Sequence, residues 1–389
     1  MQDIARLCSD LVRIRSENPP GRTDEVIAHI GQILDRHGVT STITDDGCGR
    51  CNLVTEPADS GLLVCGHVDV VPALDEGWTD PPFSGAIRDE KVWGRGATDM
   101  KGGCAALIAA YLTFLDRFGH APAQMAFVCD EETGGDSGIR HLIMKNLISP
   151  CDCLIAEPTP PYHPNIGQKG LVRLRLRFSG TPGHGSLYPL VGTSAIVEAS
   201  DFIGYLNTLH ARKFTHDPCL QELIRRSSEV LAEEFSIAGA DAILSRIMFN
   251  PGIINGGEKS NIVSQRCDLD VELRIPWGCD IPALVKEIRS NFSRCEVLTE
   301  VTHAPSLTSP ESRIVTETCN AVSHVLKKDA TPVVQWAASD ARHLRLSGFR
   351  VVEYGPGDLR SLHAIDEHVS IVSLEKSAEV YYALMRNYT

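Results

Sequence analysis

Three apolar segments of the chain each end in acidic or histidine side chains, and this pattern most constrains the fold. The segments read LLVCGHVDVV, MAFVCDEE and CDCLIAEP, and they place His67, Glu132 and Glu157 at or just beyond their ends. Continuous apolar runs of this length are typical of strands buried on both faces of an α/β sheet. Because ligands bind beyond the carboxyl ends of such strands, these polar residues predict a shared site at one edge of the sheet.

A glycine-rich turn adds a fourth carboxylate to this set. The stretch 92–103 reads VWGRGATDMKGG, and an apolar helical pattern, CAALIAAYLTFL, follows directly. Asp99 therefore lies at a loop-to-helix junction, where an aspartate commonly caps the helix. A helix cap and a functional carboxylate are both compatible with this position, and the polar strand ends elsewhere favour the functional interpretation.

Neighbouring polar residues at the strand ends suggest different roles for adjacent side chains. His67 and Asp69 are two residues apart, so on an extended chain they point to the same side. A carboxylate there can hold one ring nitrogen and leave the other free for a metal. Glu131 and Glu132 point in different directions, so one can be a ligand and the other a base. The structural alternatives are a buried histidine satisfied by an aspartate, and an acidic surface turn.

The sequence pattern changes after residue 170 and changes back near residue 303. LVRLRLRFSG alternates apolar and basic side chains, which is typical of a half-exposed antiparallel strand. Such a strand could pair with its copy across a two-fold axis. Helical and strand-like segments follow until CEVLTEVTH, after which the α/β pattern returns. We therefore expect one domain formed by residues 1–170 and 303–389, with an α+β domain of residues 171–302 inserted into it.

Composition and charge argue against several classes of function. The formal net charge is −13 and no Lys/Arg block is present, which disfavours nucleic acid and anionic membranes as partners. No apolar run reaches membrane-spanning length, and the amino-terminal residues form an amphipathic pattern rather than a signal peptide. Thirteen cysteines without a signal peptide indicate reduced structural thiols. We therefore expect a cytoplasmic protein.

In their order and spacing, seven short motifs resemble those of the M20 metallopeptidases. This family includes acetylornithine deacetylase, succinyl-diaminopimelate desuccinylase, aminoacylase and carboxypeptidase G. The motifs are GHVDVV, GRGATDMKGG, CDEETGG, AEP, GTPGHGS, NGGEKSNIV and GPG followed by LHAIDE, and they extend over nearly the whole chain. The resemblance implies a zinc-peptidase-like catalytic α/β domain with a mixed sheet flanked by helices, and an inserted α+β lid and dimerisation domain.

The resemblance also implies a binuclear zinc centre. It places His67, Asp99 and Glu157 on one zinc ion, and Asp99, Glu132 and His363 on the other, with Asp99 bridging the two. It further implies a cis peptide bond after Asp99. Nitrogen and oxygen ligands without thiolate suit Zn²⁺, and Co²⁺ or Mn²⁺ would suit them too.

Further roles are carried over from the family position by position. Glu131 takes the place of the general base, and Asp69 takes the place of the residue that orients His67. His184 matches a lid histidine that, in the family, reaches the active site of the partner subunit. The positions expected to contact substrate are Asn261, Arg274 and Arg342.

We expect amide hydrolysis of a small substrate by a homodimer formed through the inserted domain. The favoured substrate is an N-acyl amino acid, as for the deacetylases and desuccinylases. A dipeptidase or carboxypeptidase is the alternative, and a non-catalytic relative that only binds is a less favoured one. The segment WAASDARH differs from the GGTSDGRF of desuccinylases, and the lid carries an extra charged stretch near 213–242. Both differences argue against a diaminopimelate substrate.

Overall fold

The computed structural model describes residues 3–389. The chain divides into two compact units. They are Met1–Gly167 with Leu307–Val333 and Ser339–Thr389, and Gln168–Ser306 with Val334–Ala338. The sequence-based domain boundaries did not separate the last of these segments from the first domain. The assignment of the two units as a catalytic domain and a lid domain stays a prediction.

The described residues form the following α-helices and β-strands. The helices are α1 (Ile4–Arg13), α2 (Asp24–Arg36), α3 (Lys101–Phe118), α4 (Ile139–Met144), α5 (Ala195–His210), α6 (Pro218–Phe235), α7 (Asp241–Ser245), α8 (Ile281–Asn291), α9 (Arg313–Leu326), α10 (Ala341–Leu346) and α11 (Ile371–Tyr388). The strands are β1 (Ser41–Asp45), β2 (Cys51–Thr55), β3 (Leu62–His67), β4 (Ala86–Arg88), β5 (Lys91–Trp93), β6 (Gln124–Val128), β7 (Asp152–Ile155), β8 (Asn165–Gln168), β9 (Gly170–Ser179), β10 (Met248–Gly256), β11 (Arg266–Ile275), β12 (Cys295–His303), β13 (Ser306–Leu307), β14 (Val333–Gln335), β15 (Arg350–Glu353) and β16 (His368–Ser370).

The largest sheet within the described residues is mixed. Its nine strands run in the order β1-β2-β6-β3-β7-β15-β8-β13, with β14 beside β8. The central strands β6, β3, β7 and β15 are parallel, whereas β1, β2 and β8 pair antiparallel with their neighbours. Every residue of β2, β3, β6 and β7 is buried, as their continuous apolar sequences predict. Helices pack against this sheet, so the predicted fold class, a mixed α/β sheet flanked by helices, is confirmed.

Helix α3 supports the glycine-rich turn that precedes it. It begins at Lys101, two residues after Asp99, and its residues are buried as far as Leu112. It packs against α1, α11 and β3, which accounts for an apolar sequence on all sides of the helix. The helix ends at Gly119, whose φ of 74° is the left-handed conformation that glycine adopts readily. The turn around Asp99 therefore has a fixed, buried helix behind it.

The second unit contains a four-stranded antiparallel sheet in the order β10-β11-β9-β12. The apolar side chains of β9 are buried and its arginines face outward, where Arg173 and Arg177 pair with Glu272 and Asp268 of β11 at 2.7 and 2.9 Å. Because β9 lies between β11 and β12, it has no free edge. The expectation that LVRLRLRF is an exposed edge strand is therefore wrong, and the edges of this sheet are β10 and β12.

Helix α6 accounts for the assignment of Val334–Ala338 to the second unit. This helix lies in the extra charged stretch near 213–242. The hydroxyl of Ser227 accepts a hydrogen bond from the backbone N–H of Val334 at 2.9 Å, and the ring of Phe235 meets that of Trp336 edge-on at 5.2 Å. Through these contacts Val334–Ala338 packs against α6, although the two are far apart in sequence.

A buried lysine lies at the start of the second unit. The ammonium group of Lys169 donates to the backbone carbonyls of Ile243 and Arg246, at 2.6 and 2.5 Å, at the carboxyl end of α7. Burial and the nearby Arg274 lower the pKa of Lys169 to about 7. A charged lysine is therefore disfavoured in the folded unit at neutral pH and above.

Candidate metal centre

Parallel pairing brings the polar strand ends to one edge of the large sheet. In the register of β3 with its neighbours, His67 lies beside Val128 of β6, and Cys65 lies beside Ile155 of β7. Glu157 follows Ile155 by two residues, as His67 follows Cys65, so both side chains leave the sheet at the same level. The turn formed by residues 130–135, called the acidic turn below, follows β6 at this edge as well. The register explains why residues that are far apart in sequence meet here.

Asp99 lies between the two histidines of the predicted centre. Its Oδ1 is 3.0 Å from Nε2 of His67, and its Oδ2 is 3.2 Å from Nε2 of His363. Helix α3 has Met100 as its N-cap residue and no side-chain cap, so the interpretation of Asp99 as a helix cap is wrong. The Asp99–Met100 peptide bond is cis, as the family resemblance implies.

The two remaining predicted ligands complete the cluster. Oε1 of Glu157 is 3.7 Å from Nε2 of His67, and Oε1 of Glu132 is 3.6 Å from Nε2 of His363. Oε1 of Glu132 is also buried and has no hydrogen-bond partner among the described residues. Buried oxygens normally have a partner, so this atom is suited to a cation. The nitrogen and oxygen donors of the cluster therefore fit divalent cations such as Zn²⁺, Co²⁺ or Mn²⁺.

Burial and mutual repulsion perturb the carboxylates of this cluster. Burial raises the pKa of Glu157 well above its ordinary value, and it raises the pKa of Glu132, to which Asp99 adds repulsion. Burial alone would also raise the pKa of Asp99, but hydrogen bonds with His363 and His67 hold it well below its usual range. The neighbouring carboxylates of Asp99 and Glu132 raise the pKa of His363 to about 10. Burial and repulsion thus disfavour the charged form of Glu132 and Glu157, and a cation bound among these carboxylates would relieve both effects.

Glu131 lies beside the first group of predicted ligands. One of its carboxylate oxygens forms a cluster with the ligand atoms of His67 and Glu157, all within 4.8 Å of one another. Burial raises the pKa of Glu131 well above its ordinary value, although the nearby His67 opposes this. Distance alone therefore permits Glu131 to act as a further ligand or as a base, and its predicted role is that of the base.

The contacts of Asp69 differ from the prediction in one respect. Nδ1 of His67 is 2.9 Å from the main-chain oxygen of Asp69 and 3.5 Å from its carboxylate. The carboxylate instead accepts hydrogen bonds from the main-chain N–H groups of Glu131 and Glu132, both at 3.2 Å. The closest contact with His67 thus comes from the backbone of Asp69, and the orienting role of this residue stays a prediction. The side chain holds the acidic turn.

Asn18 is a positioning residue that the sequence analysis missed. It is buried, and its amide nitrogen is 3.0 Å from Oδ2 of Asp69, 3.2 Å from Oδ1 of Asp130 and 3.1 Å from Oγ1 of Thr133. The residue therefore ties β3 to the acidic turn. The only sequence signal was a polar residue before two prolines, in SENPPG, a stretch that reads as a chain breaker.

Arg342 contacts the turn that carries Glu131 and Glu132, and its contact with substrate stays a prediction. It is buried, and its guanidinium group donates to the backbone oxygens of Ser339 and Gly134 at 3.1 and 3.2 Å and to the ring of His343 at 3.1 Å. Gly134 closes the acidic turn after Glu131 and Glu132. These three contacts show that Arg342 holds the turn at Gly134 in place, and they use three of the five N–H donors of the guanidinium group.

The other predicted site residues belong to the second unit. His184 is exposed, and its Nδ1 is 2.8 Å from the hydroxyl of Ser186. Its neighbour Gly185 donates its backbone N–H to the carbonyl of Asn261 at 2.9 Å, so His184 and Asn261 lie in adjacent backbone segments. Arg274 is half-buried and pairs with Glu272 at 2.7 Å. Their roles towards substrate stay predictions.

A family model for peptidase family M20/M25/M40 matches residues 63–387. The chain belongs to this family. Among relatives, it is 26% identical over 409 residues to a protein named probable succinyl-diaminopimelate desuccinylase from Staphylococcus aureus, covering 97% of each chain. It is 25% identical over 374 residues to a probable carboxypeptidase S-like 2 from Dictyostelium discoideum, covering 84% of this chain and 71% of the relative.

Solved structures of M20 proteins share the fold. The metallo-carboxypeptidase Sso-CP2 from Sulfolobus solfataricus superimposes with a TM-score of 0.80 at 20% identity, covering 100% of this chain and 99% of that one. The YXEP protein from Bacillus subtilis, described as a dinuclear metal-binding peptidase of the M20 family, gives a TM-score of 0.64 at 11% identity, covering 98% and 96% of the chains.

Family membership establishes the general class of activity. The protein is a metal-dependent hydrolase that acts on amide or peptide bonds, as the sequence predicted. None of the helices in the described part of the chain has the length and apolar character needed to cross a membrane. The identity of the metal, the substrate and the state of assembly are matters for proposal.

Proposed function

We propose that this M20 protein is a binuclear zinc-dependent deacylase that releases a carboxylate from the nitrogen of an N-acyl amino acid. The observation that carries the proposal is the position of Asp99, whose two oxygens lie 3.0 and 3.2 Å from the two histidines. A carboxylate so placed can bridge two cations. His67 and Glu157 would complete one ligand group, and Glu132 and His363 the other.

The bound metals would supply a water of lowered pKa and would polarise the carbonyl group of the substrate. The chain supplies the proton transfers. Glu131 removes the proton from the attacking water with its carboxylate and later passes a proton to the leaving amine nitrogen. Its elevated pKa, caused by burial, makes it a stronger base than an exposed glutamate. The carboxylate of Asp69 holds the backbone on both sides of this base and so limits its movement.

Substrate recognition is proposed to depend on the second unit. His184 would stabilise the oxyanion that develops on the scissile carbonyl, and Asn261 and Arg274 would bind the substrate. The family resemblance implies that this histidine acts on the partner subunit. We therefore propose a homodimer that forms through the second unit. Its edge strand β10 exposes Ile253 and Ile254, which are 56% and 49% accessible, and offers an unpaired edge to a second copy.

The deacylase proposal is supported by relatives named succinyl-diaminopimelate desuccinylase that match the chain over nearly its whole length. A carboxypeptidase or dipeptidase is the second candidate. It is favoured by the similarity to Sso-CP2 and to the yeast dipeptidase Dug1p, which superimposes with a TM-score of 0.74 at 16% identity over 99% of this chain. Thirteen free cysteines support a reducing compartment such as the cytoplasm.

A substrate panel would test these proposals. The full-length protein is stripped of metal, reloaded with Zn²⁺, Co²⁺ or Mn²⁺, and assayed with N-acetyl and N-succinyl amino acids, dipeptides and carboxypeptidase substrates. A deacylase should give its highest kcat/KM on an N-acyl amino acid. A higher kcat/KM on dipeptides or longer peptides would favour the second candidate. Absence of turnover on every substrate, with two metal ions bound per chain, would contradict both and favour a non-catalytic relative.

A further inference from the structure

A buried carboxylate that is not a predicted ligand lies directly behind Asp99. Glu367 has no solvent exposure, and its Oε1 accepts hydrogen bonds from the backbone N–H groups of Gly96, Thr98 and Asp99 at 3.1, 2.9 and 3.0 Å. Three backbone donors that converge on one oxygen fix the conformation of the turn. One of these donors is the N–H of Asp99 itself. Glu367 therefore fixes the position of the Asp99 backbone within the turn.

Arg95 connects Glu367 to His363, one of the two predicted histidine ligands. Its Nη1 donates to Oε2 of Glu367 at 2.6 Å, and its Nη2 donates to the backbone carbonyl of His363 at 3.3 Å. Arg95 is itself buried, and its guanidinium carbon lies 5.3 Å from the ring centre of Trp78. The pair Arg95–Glu367 therefore contacts the main chain of both Asp99 and His363.

Two further contacts join the same segments of chain. The backbone N–H of Gly94 donates to the carbonyl of Glu367 at 2.8 Å, and the hydroxyl of Thr98 donates to the carbonyl of His368 at 2.6 Å. The turn 94–99 and the segment 363–368 are thus held together along their length. His363 has a φ of 57°, in the left-handed region that a residue with a side chain rarely adopts, so its backbone needs such support.

Two of the other predicted ligands, His67 and Glu157, are held in a different way. His67 is the last residue of β3, and Glu157 follows β7, so the hydrogen bonds of the sheet position both. His363 lies in a segment outside the helices and strands. Loss of the Arg95–Glu367 pair should consequently affect the ligand group of Asp99, Glu132 and His363 more than the group of His67, Asp99 and Glu157.

We propose that Arg95 and Glu367 are positioning residues that set the separation of Asp99 and His363. They thereby determine how tightly a metal ion binds to the ligand group of Asp99, Glu132 and His363, the second metal position. This inference rests on the proposed ligand set. Neither residue touches the reacting atoms, and both act through the backbone of a ligand. Residues of this kind typically alter metal affinity by about 10–100-fold when they are changed.

The test compares metal binding by full-length wild-type protein, Glu367→Gln and Arg95→Lys. Glu367→Gln keeps the shape of the side chain but removes its charge. Arg95→Lys keeps a cation beside Glu367 and removes the fork that reaches the carbonyl of His363. The control is Asp152→Asn, a buried carboxylate at the start of β7 that pairs with Arg350 and Tyr388. Circular dichroism confirms folding of each variant.

Each metal-free protein is titrated with Zn²⁺ in a calorimeter and with Co²⁺ by visible absorption, which reports the coordination geometry of each equivalent. We expect wild type and Asp152→Asn to bind two equivalents. Glu367→Gln and Arg95→Lys should bind the first with nearly normal affinity and the second about 10–100-fold more weakly, with a changed Co²⁺ spectrum for the second equivalent. A general loss of packing would not produce this selective change.

The outcomes separate this inference from the proposed function. If wild type binds two equivalents and either folded variant binds both with wild-type affinity and spectrum, the positioning role is refuted and the ligand set stands. If Glu367→Gln does not fold, Arg95→Lys alone decides the matter. If wild type binds fewer than two equivalents, the proposed binuclear centre is refuted, and this inference fails with it.

Discussion

Replacing Glu131 by glutamine tests whether this residue acts as the general base or as a metal ligand. The carboxylate lies within 4.8 Å of the ligand atoms of His67 and Glu157, close enough to serve in either role. Glutamine has nearly the same shape, but its amide group is not a base at neutral pH. If Glu131 is the base, Glu131→Gln should keep the fold and the metal content and lose most of its turnover.

The size of the loss follows from the chemistry assigned to the residue. A positioned general base contributes about 10²–10⁴-fold to the rate. A decrease of this size in kcat corresponds to a barrier higher by about 3–5 kcal/mol. The backbone N–H of residue 131 is held by Asp69 whatever the side chain, so the turn should keep its conformation and KM should change little. The main effect is therefore expected in kcat.

The assay measures kcat, KM and metal content for wild type, Glu131→Gln and Glu132→Gln. Metal content is determined by elemental analysis after dialysis. Glu132→Gln alters a predicted ligand of the second group, so this variant should bind less metal than wild type. Turnover of Glu131→Gln near the wild-type rate, with two metal ions bound, would refute its role as the base. Loss of one metal ion from Glu131→Gln would show that it is a ligand.

Three further outcomes are expected. A strong chelator should abolish hydrolysis, and Zn²⁺, Co²⁺ or Mn²⁺ should restore it; activity that survives complete removal of metal would contradict the proposed chemistry. Burial lowers the pKa of Lys169 to about 7 in the folded chain, against an ordinary value of 10.5. Between these two pKa values the unfolded chain binds one proton more than the folded chain. The free energy of unfolding of wild type should therefore rise relative to that of Lys169→Met between pH 7 and pH 9.5, by at most about 1.4 kcal/mol per pH unit. A difference between their melting temperatures that stays constant with pH would contradict this. Mixing inactive Glu131→Gln with inactive His184→Ala should restore activity once subunits exchange, because each mixed dimer would regain one complete site; no recovery despite proven exchange would refute the action of His184 on the partner.

The sequence was most informative where a local pattern determines a position in the fold. Each apolar run of the large sheet is a strand with a polar residue after it, and parallel pairing is enough to bring His67 and Glu157 to one edge. The glycine-rich turn before an apolar helix similarly marked Asp99. His363 follows a Gly-Pro-Gly loop, which made it a candidate nitrogen ligand, and the family resemblance supplied its place in the second ligand group.

Contacts between segments that are distant in sequence could not be predicted. Glu367 reads as one acid of an exposed loop, and its burial depends on backbone donors about 270 residues earlier in the chain. Arg342 matched a family motif, but only the fold shows that its donors are used on Gly134 and Ser339. The strand β9 has the alternating sequence of many edge strands, and alternation does not reveal how many neighbours a strand has.

The different positions of Glu131 and Glu132 follow from the turn in which they lie. Asp130 has a φ of 71°, so the chain reverses immediately after β6, and its carbonyl accepts the N–H groups of Gly134 and Gly135 at 3.1 and 2.6 Å. With the backbone closed in this way, Asp69 binds the N–H groups of both glutamates. Their side chains then diverge.

The two carboxylates have different neighbours, although both lie near His67. Glu132 reaches His363 at 3.6 Å, and Glu131 lies near His67 and Glu157. The proposed roles, Glu131 as the base and Glu132 as a ligand, rest on this difference in neighbours. Two adjacent glutamates in sequence can therefore have separate chemical roles because the turn, rather than their residue type, sets the direction of each.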